Sequence, residues 1–407
     1  ILDFVSIRGL FKKGGADTKI VAVLAEAASP PADRRVLHAV FRRGGRADAE
    51  QGFDIDYYDL HWLPRHLLLE RSGPEIWRAN LLGGARSYHF LQRLRKLPTL
   101  KQHAEAKGWH VREGFVEGAA GISRAADHIV GKPLLPSAAL TLNGVDRSRI
   151  GLAPNKPIEG PRTAELFTPP ILLVREHEDL PHAVWTDGYL TFKNKIVGFS
   201  QAERRDLKVV ADWLTGQSIP LRAYVAGISG RLFTQKATTL AASDVLALPY
   251  SAEGSLDLSV NEQIVAEDIV NYYRDFVRRG NESDLARCDA GKSLPAFASL
   301  FASQINGIYG ERPVRPLTPQ RWPGLICQPF VFGEGEIDWS GAEELKGKLD
   351  ALLHEQRSTS LSITRIARIY DGRFVFLIKP DRLRYWLRSM ALRDSDDVLA
   401  DLRTQGF

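Results

Sequence analysis

Residues 167–176, Phe-Thr-Pro-Pro-Ile-Leu-Leu-Val-Arg-Glu, place a proline pair directly before four apolar residues. Prolines at the entry of a short apolar run are typical of a strand that begins there. The stretch therefore predicts a buried β-strand over Ile171–Val174. It lies in a longer region, Trp109 to Tyr250, where short apolar runs alternate with turns, and this region is predicted to be rich in strands.

Turn and helix signals surround this strand. Asn143-Gly144 and Asp187-Gly188 predict hairpins, because these dipeptides adopt the tight turns that join antiparallel strands. Helical spacing of apolar residues predicts helices that interrupt the strands at about Ala202–Thr215 and Pro220–Ile228.

On the amino-terminal side, apolar runs predict three strands, Ile1–Ile7, Lys19–Ala25 and Val36–Phe41. Between Glu75 and Gly108, apolar residues recur at helical spacing and predict short helices. Basic residues stand between them, which gives these helices a basic face: Arg86, Arg93, Arg95, Lys96 and Lys101.

On the carboxyl-terminal side, helices and one strand pair are predicted. An amphipathic helix runs over Ser259–Arg279 and is ended by Gly280, and a second runs over Leu294–Ile308. Asp371-Gly372 predicts a turn between two strands, Leu361–Tyr370 and Arg373–Ile378, and a helix follows over about Arg382–Asp401. The chain is thus predicted to be an α+β protein with five segments: 1–72, 73–108, 109–250, 251–312 and 313–407.

Composition narrows the class of protein. With 407 residues and 44% apolar content, the chain can bury the cores of two or three domains. Its only cysteines, Cys288 and Cys327, are far apart in sequence, and no apolar run reaches the roughly 18 residues of a membrane span. We therefore expect a cytoplasmic protein without a membrane partner. Because Met390 is the only methionine, we also expect the chain to be part of a longer polypeptide.

Motifs for catalysis are incomplete. No Gly-x-Gly turn follows a predicted strand, and Ser200 lies in a Gly-x-Ser-x-Ala stretch that lacks the final glycine of a nucleophile elbow. Histidines five positions apart do not share a helical face, so no metal site is predicted. A nuclease cluster remains a weaker alternative, either from Glu334, Glu336 and Asp338 with Lys346, or from Asp187 with Lys193 and Lys195.

Several stretches, in this order along the chain, resemble the region behind the catalytic motifs of adenine-specific DNA methyltransferases of the Eco57I and N-6 type. They are 3–24, 77–84 (Trp-Arg-Ala-Asn-Leu-Leu-Gly-Gly), 94–100, 108–109, 113–115 (Glu-Gly-Phe), 167–176, 190–199, 236–238, 244–250, 268–280, 326–330 and 378–407. The resemblance covers nearly the whole chain. It implies the trailing strands of a Rossmann-like methylase sheet, then a β-rich target-recognition domain and a mainly helical carboxyl-terminal region.

The catalytic elements of that family have no matching positions here. Its Asn-Pro-Pro-aromatic tetrad has only two near misses, Ser29-Pro30-Pro31-Ala32 and Thr168-Pro169-Pro170-Ile171, and neither ends in an aromatic residue. No residue is therefore assigned to catalysis or to a cofactor, and the sequence leaves open whether the chain is itself an enzyme. The resemblance implies S-adenosylmethionine for the intact enzyme, bound by an upstream catalytic domain in the same chain or a partner chain.

What carries over is recognition of double-stranded DNA. The net charge of +5 suits a polyanionic partner, and cations on loops are expected to contact phosphates. Lys193 and Lys195 are candidates, although they would equally suit the solvent face of a half-buried strand. Arg93 and Arg95 would line a DNA channel, or they would simply belong to the solvent-exposed face of a helix. The remaining candidates are Arg222, Arg231, Thr234, Gln235 and Lys236.

The leading hypothesis is DNA sequence recognition as the carboxyl-terminal part of a site-specific adenine-N6 DNA methyltransferase of a restriction-modification system. The alternative is a free-standing DNA-binding specificity subunit that is paired with a separate catalytic chain.

Overall fold

A computed structural model of the chain describes residues 1–5, 7, 20–29, 31, 33–43, 53–69, 75–118, 124–233, 238–310, 313–340, 349, 354–358 and 361–405. They form two compact units. The first unit comprises Ile1–Phe90 and Ser259–Phe407, and the second comprises Leu91–Leu258. Both contain helices and strands, so the predicted α+β class is confirmed. The division into five segments stays a prediction.

The described residues of the first unit form three sheets. The amino-terminal sheet has the strand order Val21–Ala22, Leu2–Asp3, Arg35–Val40, Leu60–Pro64. A second sheet has the order His354–Ser358, Leu361–Thr364, Phe53–Asp56, Arg42–Arg43. The third sheet contains Val314–Pro316, Leu325–Phe332, Phe374–Pro380 and Ala367–Asp371, with Gln320–Trp322 also paired to Leu325–Phe332. Neighbours are antiparallel except for Leu2–Asp3 beside Arg35–Val40 and Leu361–Thr364 beside Phe53–Asp56.

Helices of the first unit follow the capping signals in the sequence. Ser259 and Glu262 form a capping box at the start of Val260–Asp268, which continues through a π-helical turn, Ile269–Tyr273, into Arg274–Arg279. Gly280 follows with a φ of +55°, which ends the predicted helix as expected. The other helices among the described residues are Arg65–Leu69, Glu75–Leu81, Ala85–Arg95 (whose last residues belong to the second unit), Asp284–Arg287, Ser293–Asn306 and Arg388–Thr404, with 3-10 turns at Tyr57–Asp59, Gly280–Glu282 and Leu383–Tyr385.

Three strand predictions for the first unit were wrong in extent. The run Leu361–Tyr370 is not one strand, because Leu361–Thr364 pairs with Phe53–Asp56 whereas Ala367–Asp371 pairs with Phe374–Pro380 in another sheet. Near the amino terminus the described strands are shorter than predicted, only Leu2–Asp3 and Val21–Ala22. The turn at Asp371-Gly372 is confirmed.

The second unit is built on a four-stranded antiparallel sheet, in the order His182–Trp185, Ile171–Arg175, Ile196–Ser200, His110–Glu113. A smaller sheet has the order Gly151–Leu152, Pro133–Leu135, Thr191–Phe192, and two strand pairs join Leu140–Thr141 to Gly144–Val145 and Val116–Glu117 to Ile158–Gly160. The helices are Leu100–Ala106, Arg204–Gly216, Ser218–Ile228 and Ala242–Leu246, with 3-10 turns at Ser137–Ala139, Arg147–Arg149 and Ala164–Phe167.

The predicted strand after the proline pair is confirmed and is central to this sheet. Ile171, Leu172, Leu173 and Val174 are fully buried, with partners on both sides. The hairpin at Asn143-Gly144 is also confirmed. Asp187-Gly188 forms a turn but no hairpin. The next strand in the sequence, Thr191–Phe192, joins the smaller sheet beside Pro133–Leu135.

Candidate nucleic-acid interface

The turn Lys193–Lys195 leads into the strand Ile196–Ser200 and is held by backbone hydrogen bonds at both ends. Asn194 N–H donates to the carbonyl of Phe115 (2.9 Å), and the carbonyl of Lys195 accepts from Glu176 N–H (2.9 Å). Lys195 has a φ of +81°, in the left-handed region that a lysine adopts only where its surroundings enforce it. The backbone of this predicted DNA-contacting turn is therefore fixed.

Gly114 allows the turn to approach the neighbouring strand. A Cβ at this position would lie 2.2 Å from the carbonyl oxygen of Phe192 and 2.5 Å from that of Lys193. Gly114 N–H also donates to the carbonyl of Ile196 (3.0 Å). Both clashes are with backbone, so no side-chain rotation would relieve them. A glycine is required here for reasons of space.

The two lysines of the turn have different environments. Lys193 is about one-third exposed and its ammonium lies 2.6 Å from a carboxylate oxygen of Glu117. Lys195 is exposed, and within the described ranges its ammonium makes no ion pair. Its backbone N–H donates to Glu113 Oε1 (3.2 Å). Lys195 therefore offers a charge to a ligand more readily than Lys193.

Arg231 lies on a second loop, which follows the helix Ser218–Ile228 in the sequence. Its backbone N–H donates to Ser229 Oγ (3.2 Å), and the Ser229 hydroxyl donates to Asp244 Oδ2 (2.6 Å). The Arg231 guanidinium donates to the carbonyl of Leu240 (3.3 Å) and the residue is exposed. These bonds fix the start of the loop at the surface of the unit.

Both loops are hydrogen-bonded to the backbone of Glu176, the residue that follows the central strand Ile171–Arg175. On one side Glu176 N–H donates to the carbonyl of Lys195 (2.9 Å). On the other side the carbonyl of Glu176 accepts from Leu240 N–H (3.2 Å), and Leu240 is the residue whose carbonyl binds Arg231. The structure thus connects the loops of Lys195 and Arg231, two cations that were predicted separately, through the backbone of Glu176.

The carboxyl of Glu176 is 3% exposed. Burial, together with the nearby carboxylate of Glu113, raises its pKa to about 8, although Arg231 acts in the opposite direction. At neutral pH the Glu176 carboxyl is therefore mostly protonated. A neutral carboxyl at this position adds no negative charge near Arg231. Residue patterns did not single out Glu176, although an acid two positions after four consecutive apolar residues was a signal for it.

The other predicted residues are placed differently. Arg222 is partly buried and pairs with Asp179 (2.6 Å), which lies in the turn behind Glu176. Arg93 donates to the carbonyls of Leu256 and Asp257 (3.1 and 2.5 Å), while Arg95 is exposed. Thr234, Gln235 and Lys236 lie outside the described residues.

Charge is unevenly distributed between the two units. Residues 91–258 contain 21 Lys and Arg against 17 Asp and Glu, a net charge of +4, whereas the whole chain carries +5. The unit that holds Lys195 and Arg231 therefore accounts for most of the excess. A positive excess concentrated on one unit favours a polyanionic partner for that unit.

The chain matches no known family model. A search of curated proteins finds no match either.

Among the described residues, no three His, Cys, Asp or Glu side chains lie together as a metal ion would require. In the same part of the chain, no helix combines the length and the apolar character needed to cross a bilayer.

Proposed function

We propose that residues 91–258 recognise double-stranded DNA, as the target-recognition part of a site-specific adenine-N6 DNA methyltransferase of a restriction-modification system. The observation that carries the proposal is that the Lys195 loop and the Arg231 loop are both joined by backbone hydrogen bonds to Glu176, a buried residue whose carboxyl has a raised pKa. The positive excess of this unit and the resemblance of the sequence to the non-catalytic region of such enzymes support it.

Phosphate contacts explain why two fixed cationic loops suit DNA. Lysine and arginine on phosphates supply affinity and set the register of the protein on the duplex, whereas base edges are read by other donors. Lys195 and Arg231 would serve as phosphate contacts because each stands on a backbone held in place by hydrogen bonds. Lys193 and Arg222 are each paired with an acid, so they would hold these loops in position rather than contact DNA.

In the intact enzyme, an upstream catalytic domain in the same or a partner chain would bind S-adenosylmethionine and the flipped adenine. The amino-terminal sheet, with its parallel pair Leu2–Asp3 and Arg35–Val40, would then be the trailing part of a Rossmann-like sheet. We assign no residue of this chain to the cofactor, because the sequence carries neither the glycine-rich turn nor the aromatic tetrad that the cofactor and the base need.

The proposal is tested by measuring equilibrium binding of the whole chain to duplex DNA at a series of salt concentrations. The test variant combines Lys195→Gln with Arg231→Gln. If both residues contact phosphates, the slope of log affinity against log salt should become shallower by roughly one to two.

The matched control combines Arg205→Gln with Lys208→Gln, which removes two exposed charges from the helix Arg204–Gly216 of the same unit. This variant should keep a slope close to that of the unmodified chain. Equal losses in both variants would mean that only net charge matters, and the proposed interface would then be wrong. A complete lack of salt-dependent binding in the unmodified chain would contradict DNA recognition by this chain.

A further inference from the structure

The first unit contains a cavity of about 350 Å³ that the proposed function does not use. This volume is at the small end of the range of roughly 300–1,000 Å³ that is usual for ligand pockets. Its polar lining comes from three arginines, two aspartates, an amide, a threonine and a tyrosine: Arg42, Arg382, Arg384, Asp54, Asp56, Asn281, Thr364 and Tyr385. Among these side chains the cations outnumber the anions by one.

A buried network of ion pairs forms the inner wall. Arg42 lies 3.2 Å from Asp59, and Arg384 lies 2.8 Å from the same carboxylate oxygen and also pairs with Asp56. Both guanidiniums stand over the ring of Phe276, at 4.5 and 4.6 Å from its centroid. The network holds two arginines rigidly beside the cavity, on strands and turns from distant parts of the sequence.

One donor of this network is unused. Arg42 is 2% exposed, yet its Nη1 has no hydrogen-bond partner among the residues that the structure describes. Buried donors are nearly always satisfied, so an unpaired one beside a cavity indicates a missing acceptor. At the rim, the exposed Arg382 lines the same cavity, and within the described ranges it makes no ion pair.

We propose that this cavity binds a small molecule that carries an oxyanion, a phosphate or a carboxylate, between Arg42 and Arg382. A guanidinium presents its donors in a planar fork that matches the oxygens of both groups. Asp54 also lines the cavity and accepts a hydrogen bond from Asn281, so it suits hydroxyl or amine donors of the same ligand. All the residues that line this site belong to the first unit, whereas the proposed DNA interface is built from residues of the second.

The test is calorimetric titration of the whole chain with two probes at constant ionic strength, inorganic phosphate and the dicarboxylate malonate. The probe that binds identifies the class of oxyanion. Arg382→Ala is the informative variant, because an exposed rim residue can be removed without disturbing the buried network. It should weaken binding of that probe at least tenfold.

Arg287→Ala is the matched control, since Arg287 is exposed, belongs to the neighbouring helix Asp284–Arg287 and does not line the cavity. Its affinity for the probe should equal that of the unmodified chain. Equal weakening in both variants would overturn the proposal, as would the absence of binding of either probe at millimolar concentration. If Arg382→Ala weakened binding of duplex DNA while neither probe bound, the site would belong to a DNA-contacting surface and the small-molecule proposal would fall.

Discussion

The ammonium of Lys379 lies 2.6 Å from a carboxylate oxygen of Asp394, and both side chains are only 1% exposed. Lys379 also donates to the carbonyl of Tyr385 (2.7 Å) and lies 4.0 and 4.2 Å from the ring centroids of Phe297 and Trp386. The pair is therefore enclosed by aromatic residues and fully desolvated. Removing one partner of such a pair leaves the other charge buried without compensation.

We expect Lys379→Met to lower the free energy of unfolding by roughly 3–5 kcal/mol, because Asp394 would lose its counter-ion. Combining Lys379→Met with Asp394→Leu removes both charges and should recover part of this loss. Urea-induced unfolding followed by tryptophan fluorescence measures these two variants and Asp394→Leu alone. If the double variant were as unstable as the sum of the two single ones, the pair would contribute through packing rather than through charge.

Glu176 makes the stability of the second unit depend on pH. Its pKa is raised to about 8 by burial and by Glu113, and it also lies near Arg231 and Asp244. Because the folded state holds a proton that the unfolded state releases, the stability from Glu176 is fully present below about pH 4.5 and is lost as the pH rises through about 8.

Glu176→Gln replaces the protonated carboxyl by a neutral group of the same shape. We expect the melting temperature of this variant to fall less than that of the unmodified chain between pH 5 and pH 9. At pH 5 the two should melt at similar temperatures. Parallel melting curves across the whole pH range would show that Glu176 titrates normally in the folded protein.

Local signals predicted the elements of this fold better than their partners. Some signals act on the adjacent backbone: the proline pair before Ile171, and the capping residues Ser259 and Gly280. The limits of the strand and of the helix can therefore be predicted from a few residues. Leu361–Tyr370 failed because the choice of sheet depends on distant strands, Phe53–Asp56 for one half and Phe374–Pro380 for the other.

The candidate site shows the same division. Lys195 and Arg231 were identified from residue type and loop context, but their common attachment to Glu176 depends on hydrogen bonds that join separate loops. The cavity could not be predicted at all, because Arg42 and Arg384 meet at Asp59 only after folding. Residue chemistry is thus read from sequence, whereas convergence requires the structure.

Gly114→Ala should destabilise the second unit by about 1–3 kcal/mol, the usual cost of overpacking. The added methyl group would lie 2.2 Å from the carbonyl oxygen of Phe192, and that carbonyl cannot shift without moving the turn Lys193–Lys195. DNA binding should weaken as well, provided that Lys195 contacts DNA. Gly151→Ala is the control, since a Cβ there meets no atom within 4 Å. Thermal unfolding and DNA binding that are alike in the two variants would contradict the close approach at Gly114.

Oxyanion binding in the first unit should be stronger at acidic pH. Burial raises the pKa of Asp56 to about 6, although Arg384 opposes this shift, and Asp59, Arg42 and Tyr385 also face its carboxyl. Protonation of Asp56 removes one negative charge from the lining and releases part of Arg384 from its ion pair.

Sulfate is the suitable probe, because its charge stays constant between pH 5 and pH 8. Its affinity, measured by calorimetry, should rise as the pH falls through about 6. In Asp56→Asn the lining is uncharged at this position at every pH, so the affinity should be high and independent of pH. Asp54→Asn changes the other lining aspartate and should keep the pH dependence of the unmodified chain. If the pH dependence survived in Asp56→Asn, another group would control the charge of the cavity.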